Sequence, residues 1–161
     1  MRGYDKLLTE AEKNNLLIVE KQFKSSAKGL CVNNVIGINR EVETTTEKTC
    51  ILAEEIGHYH TTAGNILDQS KVNNRKQEKR ARRWAHEKLL PLESFVLAYL
   101  SGASGRHELA DYLEVTEEFL LEAIEQYKEK YGLMAHWGNY IIYFEPLGVM
   151  KILDSSNPSA R

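Results

Sequence analysis

The chain has 161 residues, a hydrophobic fraction of 42% and a net charge of -2. That length suits one globular unit with a small appended module, and that apolar share supports a packed core, which excludes a disordered chain. The near-neutral charge sets up no overall field toward nucleic acid or an anionic membrane, and no apolar run approaches the roughly 18 residues of a membrane span.

Tyr4 to Asn15 reads as a short amphipathic helix, and Leu16 to Phe23 as a strand. The first residues lack a signal-peptide apolar core, so the cytoplasm is the expected compartment. Gly29 to Val32 and Val35 to Ile38 flank Asn33-Asn34 and read as a hairpin. Cys31 and Cys50 sit among apolar neighbours and are expected to be buried, reduced thiols. Thr44-Thr45-Thr46-Glu47 fits a capping box and starts a helix through about Thr61. Asn65 to Asn74 is polar and reads as a loop. Gln77 to Leu90 is helical and stops at Pro91. A short helix follows over Leu92 to Leu100, then a helix pair over Arg106 to Leu113 and Thr116 to Lys130. Tyr140 to Phe144 and Val149 to Leu153 read as a terminal hairpin, with a frayed tail after it. The order points to an α+β chain, mostly helical, with one small antiparallel sheet against its first half.

Charge is unevenly placed. Between Lys71 and Lys88 there are eight Lys or Arg against two Glu, and between Gly105 and Lys130 three against eight acidic residues. The two segments could dock on each other or face partners; solvated helix faces are the expected account of most of these charges.

The central helix carries the chemistry. On a helical wheel Leu52, Ile56, Tyr59 and Ala63 share one face, and Ala53 with Gly57 forms a small-residue face that lets another element approach. Glu54, Glu55 and His58 fall in the remaining sector. A helix apolar nearly all round is a buried helix. Two carboxylates and an imidazole on it need compensation, from a divalent cation or from Arg or Lys. Glu54 and His58, at i and i+4, lie about 6 Å apart and could grip one ion. Glu55 is one position round, where a general base for a metal-bound water belongs. On the next helix Glu78 leads the stripe Ala81, Trp84, Ala85, Leu89 and is a candidate third ligand; the other reading is a carboxylate favoured by the helix dipole. Arg80, Arg82 and Arg83 could instead balance Glu54 and Glu55, or pair with the later acidic helices.

Leu52-Ala53-Glu54-Glu55-Ile56-Gly57-His58-Tyr59, with Asn65-Ile66-Leu67-Asp68, resembles the zinc helix and following loop of the ImmA/IrrE family of metallo-endopeptidases. Glu78-x-x-Ala81-x-x-Trp84-Ala85, ending Leu89-Leu90-Pro91, resembles its second signature. The resemblance spans about Glu41 to Pro91, and its members are commonly phage or mobile-element encoded, here of the Gram-positive type. It implies a zincin-like minimal peptidase core over 1–100, a helix-turn-helix-like module over 101–131, a hairpin over 132–155 packing on the core, and a tail over 156–161. It implies Zn2+ as cofactor, Glu55 as catalytic base, and His58 and Glu78 as ligands. Glu54 stands where the first motif His would be, with Asp68 as an alternative ligand. A second carboxylate would make the zinc site neutral and its water less acidic.

The function implied is cleavage of a helix-turn-helix repressor, inducing the element that encodes it. The alternative is a catalytically weak or inactive peptidase-fold protein that binds or sequesters the repressor. Glu108 to Leu120 itself resembles a helix-turn-helix, but Glu117, Glu118, Glu122 and Glu125 face outward on its second helix. Phosphates would repel that face, so direct DNA binding is not expected.

Overall fold

A computed structural model of the protein describes residues 3–62 and 71–153, with the side chains of 71–73 left aside. Asp68, most of the expected loop over Asn65 to Asn74, and the tail over 156–161 lie outside the described residues. The element order is α1 (Gly3–Lys13), β1 (Leu17–Lys21), β2 (Gly29–Val32), β3 (Val35–Asn39), α2 (Thr45–Thr61), α3 (Lys71–Leu89), α4 (Leu92–Leu100), α5 (Gly105–Leu113), α6 (Glu117–Tyr131), β4 (Met134–Trp137), β5 (Tyr140–Phe144) and β6 (Leu147–Lys151). The α+β class stands. None of the described helices is long and apolar enough to cross a membrane.

The first sheet has the order β1-β3-β2. β2 and β3 form the expected hairpin, with Asn33 in the left-handed region at φ 55°. β1 runs parallel to β3, pairing Leu17 with Val35 and Lys21 with Asn39, so the sheet is mixed and not antiparallel throughout. β3 is central because it is the strand that can be covered on both faces: Ile36, Gly37, Ile38 and Asn39 are all buried. β2 is left as an edge.

α2 begins as the capping box predicts: the Thr44 hydroxyl oxygen accepts from the Glu47 N–H at 3.1 Å. The Glu47 carboxylate reaches Lys28 at 2.6 Å. α2 is buried at Thr49 to Ala53 and again at Ile56 and Gly57. α3 starts six residues before the expected Gln77. Its Asn-rich first turn reads as loop by composition, but Ala81 and Ala85 anchor the helix in the core at 0% exposure.

α2 and α3 touch at Gly57, where an added Cβ would collide with the backbone carbonyl of Ala81. Backbone cannot swing aside as a flexible side chain can. Gly57→Ala, which in an open helix would stabilise by about 1 kcal/mol, should here destabilise by about 1 to 3 kcal/mol through overpacking. Urea unfolding of the two proteins checks the sign.

One hydrophobic cluster joins Leu7, Ile36, Leu52 and Ile56 to Phe95, Leu120, Tyr127, Ile142 and Phe144. Inside it the Tyr127 hydroxyl donates to the Leu90 carbonyl at 2.7 Å, and His86 Nδ1 meets Gln126 Oε1 at 2.6 Å. Burial lowers the pKa of His86. The basic face of α3 meets the acidic face of α6: Lys79 and Arg83 reach Glu129 at 2.8 and 3.5 Å, and Arg82 reaches Glu122 at 3.6 Å. These charges dock on one another where solvated faces were expected. Each pair is half exposed and contributes at most about 1 kcal/mol.

In the helix pair, Ala110 and Val115 are buried at the close contact and the turn, and Glu114 takes a left-handed φ of 55°. The Thr116 hydroxyl oxygen caps α6 by accepting from Phe119 at 3.2 Å. The C-terminal unit is a three-stranded meander, order β4-β5-β6, and not a two-stranded hairpin. The strand missed is β4, which pairs Met134 with Tyr143.

Candidate metal centre

α2 and α3 bring three of the expected residues together. Glu55, His58 and Glu78 line one open cleft of about 420 Å3, with Gly29, Leu30 and Cys31 of β2 on its other side. His58 Nε2 stands 3.5 Å from Glu78 Oε1. Thr62, Asn74 and Gln77 complete the described lining, which contains no Lys or Arg. Positions 55 and 58 share a side of α2, and position 78 precedes the buried Ala81–Ala85 stripe of α3 by one turn.

Glu55 is the most perturbed carboxyl of this cleft. Burial pushes its pKa up to about 7, the negative fields of Glu54 and Glu78 add to the rise, and the Cys31 backbone N–H opposes it. A carboxyl with that value is ionised in part and protonated in part near neutrality, which suits proton transfer in both directions. β2 comes this close because position 29 has no side chain. A Cβ there would stand 2.6 Å from both Glu55 Oε1 and Ile51 Cγ2.

Glu54 is placed differently. It lines the neighbouring cleft, of about 230 Å3, with Lys28, Arg82, Thr116, Glu118 and Glu122. Burial raises its pKa, and Arg82 is the foremost charge acting against that rise. The wheel groups Glu54 with Glu55 and His58. In the fold the sector is split by the neighbours: β2 and α3 face its one side, and α3 with the start of α6 face the other. His60 turns away from both clefts, toward Glu10 at 3.8 Å and the ring of Trp84 at 4.9 Å. Cys31 is half-buried and Cys50 buried, and neither is in a disulfide.

The donor set fits a divalent cation in its chemistry. Two ligands about 2 Å from a tetrahedral zinc lie roughly 3.3 Å apart, close to the His58–Glu78 separation. Glu54 is one turn before His58 on α2 and stands in the neighbouring cleft. As the side chains stand, no group of three or more His, Cys, Asp or Glu is drawn together among the described residues.

The sequence names Arg82 among three arginines that could balance Glu54, but not the β2 side of the cleft. The signal for β2 was available: an edge hairpin preceding a buried helix, with a glycine at its start. The pairing of Arg82 with Glu122, in the cleft that Glu54 also lines, depends on how α6 packs, which no local pattern carries.

No curated protein matches the chain. The sequence profile of the M78 peptidases, described as the IrrE N-terminal-like domain, matches residues 11–125. That span holds α2, α3 and every residue of the two clefts. The chain belongs to the M78 peptidase family, a family of zinc metallopeptidases.

Proposed function

We propose that the protein is a zinc-dependent endopeptidase that cleaves a helix-turn-helix repressor, with His58, Glu78 and Glu54 as ligands and Glu55 as general base. The observation that carries this reading is the meeting of Glu55, His58 and Glu78 in one cleft, with His58 and Glu78 3.5 Å apart. A bound zinc would polarise the scissile carbonyl and acidify the attacking water. The chain's own residues supply the rest. Glu55 takes the proton from that water and returns it to the leaving amine. Burial of its carboxyl against β2 holds it in place and, in the metal-free chain, pushes its pKa up to about 7. Among the described residues β2 is an edge strand, the place where an extended peptide lying along the cleft would pair. A repressor substrate would place the protein in the cytoplasm.

One observation favours a second reading, a peptidase-fold protein that binds the repressor without cutting it: Glu54 lines the cleft of Arg82 rather than that of His58. Elemental analysis of the purified chain separates the two. The endopeptidase reading expects one zinc per chain and a zinc-dependent cut when the protein is incubated with the repressor encoded beside it. A folded chain without zinc, or a zinc-loaded chain that leaves the repressor intact, overturns it.

A further inference from the structure

The first sheet is apolar on both faces, although only one of them packs on α2. Gly29 and Cys31 of β2 pair with Ile38 and Ile36 of β3, and all four positions face α2: a Cβ at Gly29 would meet Ile51 and Glu55. Side chains alternate along a strand, so Leu30 and Val32 lie on the other face, opposite Gly37 and Val35. Leu17 of β1 pairs with Val35 on that face, and the Phe23 ring covers Gly37, where a Cβ would stand 3.0 Å from Phe23 Cζ. A sheet face turned to water ordinarily carries polar residues. Here Leu17, Leu30 and Val32 are 57%, 54% and 53% exposed. A contiguous apolar patch of this kind marks an interaction surface. Its position says which partner it meets. Leu30 also lines the cleft of Glu55, His58 and Glu78, and the Cys31 backbone N–H bonds the Glu55 carboxylate. The patch and the candidate metal centre are therefore the two sides of one strand. A peptide laid beside β2 meets both at once, because its successive side chains point to opposite faces. One set falls toward α2 and the cleft, and the other falls beside Leu30 and Val32.

We propose that Leu30 and Val32 are specificity-determining residues: they select a substrate segment that is extended and carries apolar side chains at alternate positions beside the bond to be cut. The inference rests on the endopeptidase reading and narrows its substrate. A segment that pairs with β2 must be extended, so the cut falls in a linker, a strand or a locally unfolded stretch of the repressor and not within a folded helix. Residues two apart on the substrate face residues two apart on β2, with Cβ atoms about 5 Å apart. Each apolar cross-strand pair is worth up to about fivefold in binding over a small or polar residue at the same place.

The test uses the zinc-loaded full chain and short peptides randomised at one position at a time, with the cut products read by mass spectrometry. Binding of the same peptides to the Glu55→Gln chain is measured in parallel by fluorescence. Wild type should prefer Leu, Ile, Val or Phe over Ser, Asp or Lys at two positions spaced two apart, by about fivefold at each. Leu30→Lys should turn the preference at one of these positions toward Asp or Glu, and Val32→Lys should do so at the other. Leu30→Thr and Val32→Thr should flatten the preference without reversing it, and they carry the test if a lysine variant does not fold. Each comparison is between peptides within one protein, so a change in overall rate does not enter it. No apolar preference in wild type, or a preference that all four variants leave unchanged, overturns the proposal. Variants that change the oligomeric state in light scattering but not the preference assign the face to a second copy of the chain and overturn it too. An apolar preference in binding, lost in the variants, from a chain that cuts no peptide supports the selection by β2 and overturns the endopeptidase reading. A chain that neither binds nor cuts any peptide overturns both.

Discussion

Glu55→Gln should lower repressor cleavage by roughly 10²- to 10⁴-fold, the range for removal of a general base, while leaving one zinc per chain. The substitution is nearly isosteric. A carboxamide oxygen can still accept from the Cys31 N–H and still fits against Gly29, so the cleft keeps its shape. What is lost is the ability to take and return a proton. A second measurement sets this variant apart from a damaged fold. In the metal-free chain the Glu55 carboxyl has a folded pKa of about 7 against an ordinary 4.5. A raised acid pKa means that the ionised form destabilises the fold, progressively as pH rises from the unfolded value through the folded one. Metal-free Glu55→Gln should therefore unfold at a higher temperature than metal-free wild type at pH 8, and show no such gain at pH 4.5. Lower activity together with higher stability is the signature of a strained functional group. A variant that loses both would point to a structural carboxyl.

How much of this was legible in the sequence follows from where each signal is stored. α2 was readable at its first residue because Thr44 and Glu47 form a local cap, and its burial was readable from apolar residues on nearly every side. Glu78 could be chosen from α3 because it leads a stripe whose Ala81 and Ala85 are fully buried. The β2–β3 hairpin was fixed by the Asn33-Asn34 turn. Three features were not local. The parallel pairing of β1 with β3 arises because β3 takes the centre of the sheet, a matter of which strand is covered on both faces. β4 has Met, Ala, His and Trp and no β-branched residue, so propensity gives it no voice until β5 lies beside it. The division of Glu54 from Glu55 and His58 depends on α6 bringing Glu122 to Arg82. A helical wheel places side chains around one axis and carries no information on which neighbour fills each sector.

Removal of a zinc ligand should separate the metal's contribution from that of the fold, and Glu78→Ala is the cleaner of the two ligand variants. The Glu78 side chain is 58% exposed and His58 only 22%. Without metal, truncating an exposed carboxylate should change stability by no more than about 0.5 kcal/mol. With zinc at 100 times its Kd, wild type should gain about 2.7 kcal/mol from ligand binding to the native state, a rise in Tm of roughly 5 to 10 °C for a chain of this size. Glu78→Ala should lose zinc affinity by more than the 10- to 100-fold that loss of an outer hydrogen-bond partner costs, and most of that rise with it. His58→Ala should lose the rise as well, and should also start from a lower metal-free Tm because its ring is largely buried. Glu54→Ala should cost less affinity than either, since that carboxylate lines the neighbouring cleft and not the one of His58 and Glu78. The order of the three variants then carries the geometry: if Glu54→Ala proves the most damaging, Glu54 does not rest in the neighbouring cleft, and if Glu78→Ala keeps the full zinc-dependent rise, the 3.5 Å approach of Glu78 to His58 is not half of a metal site.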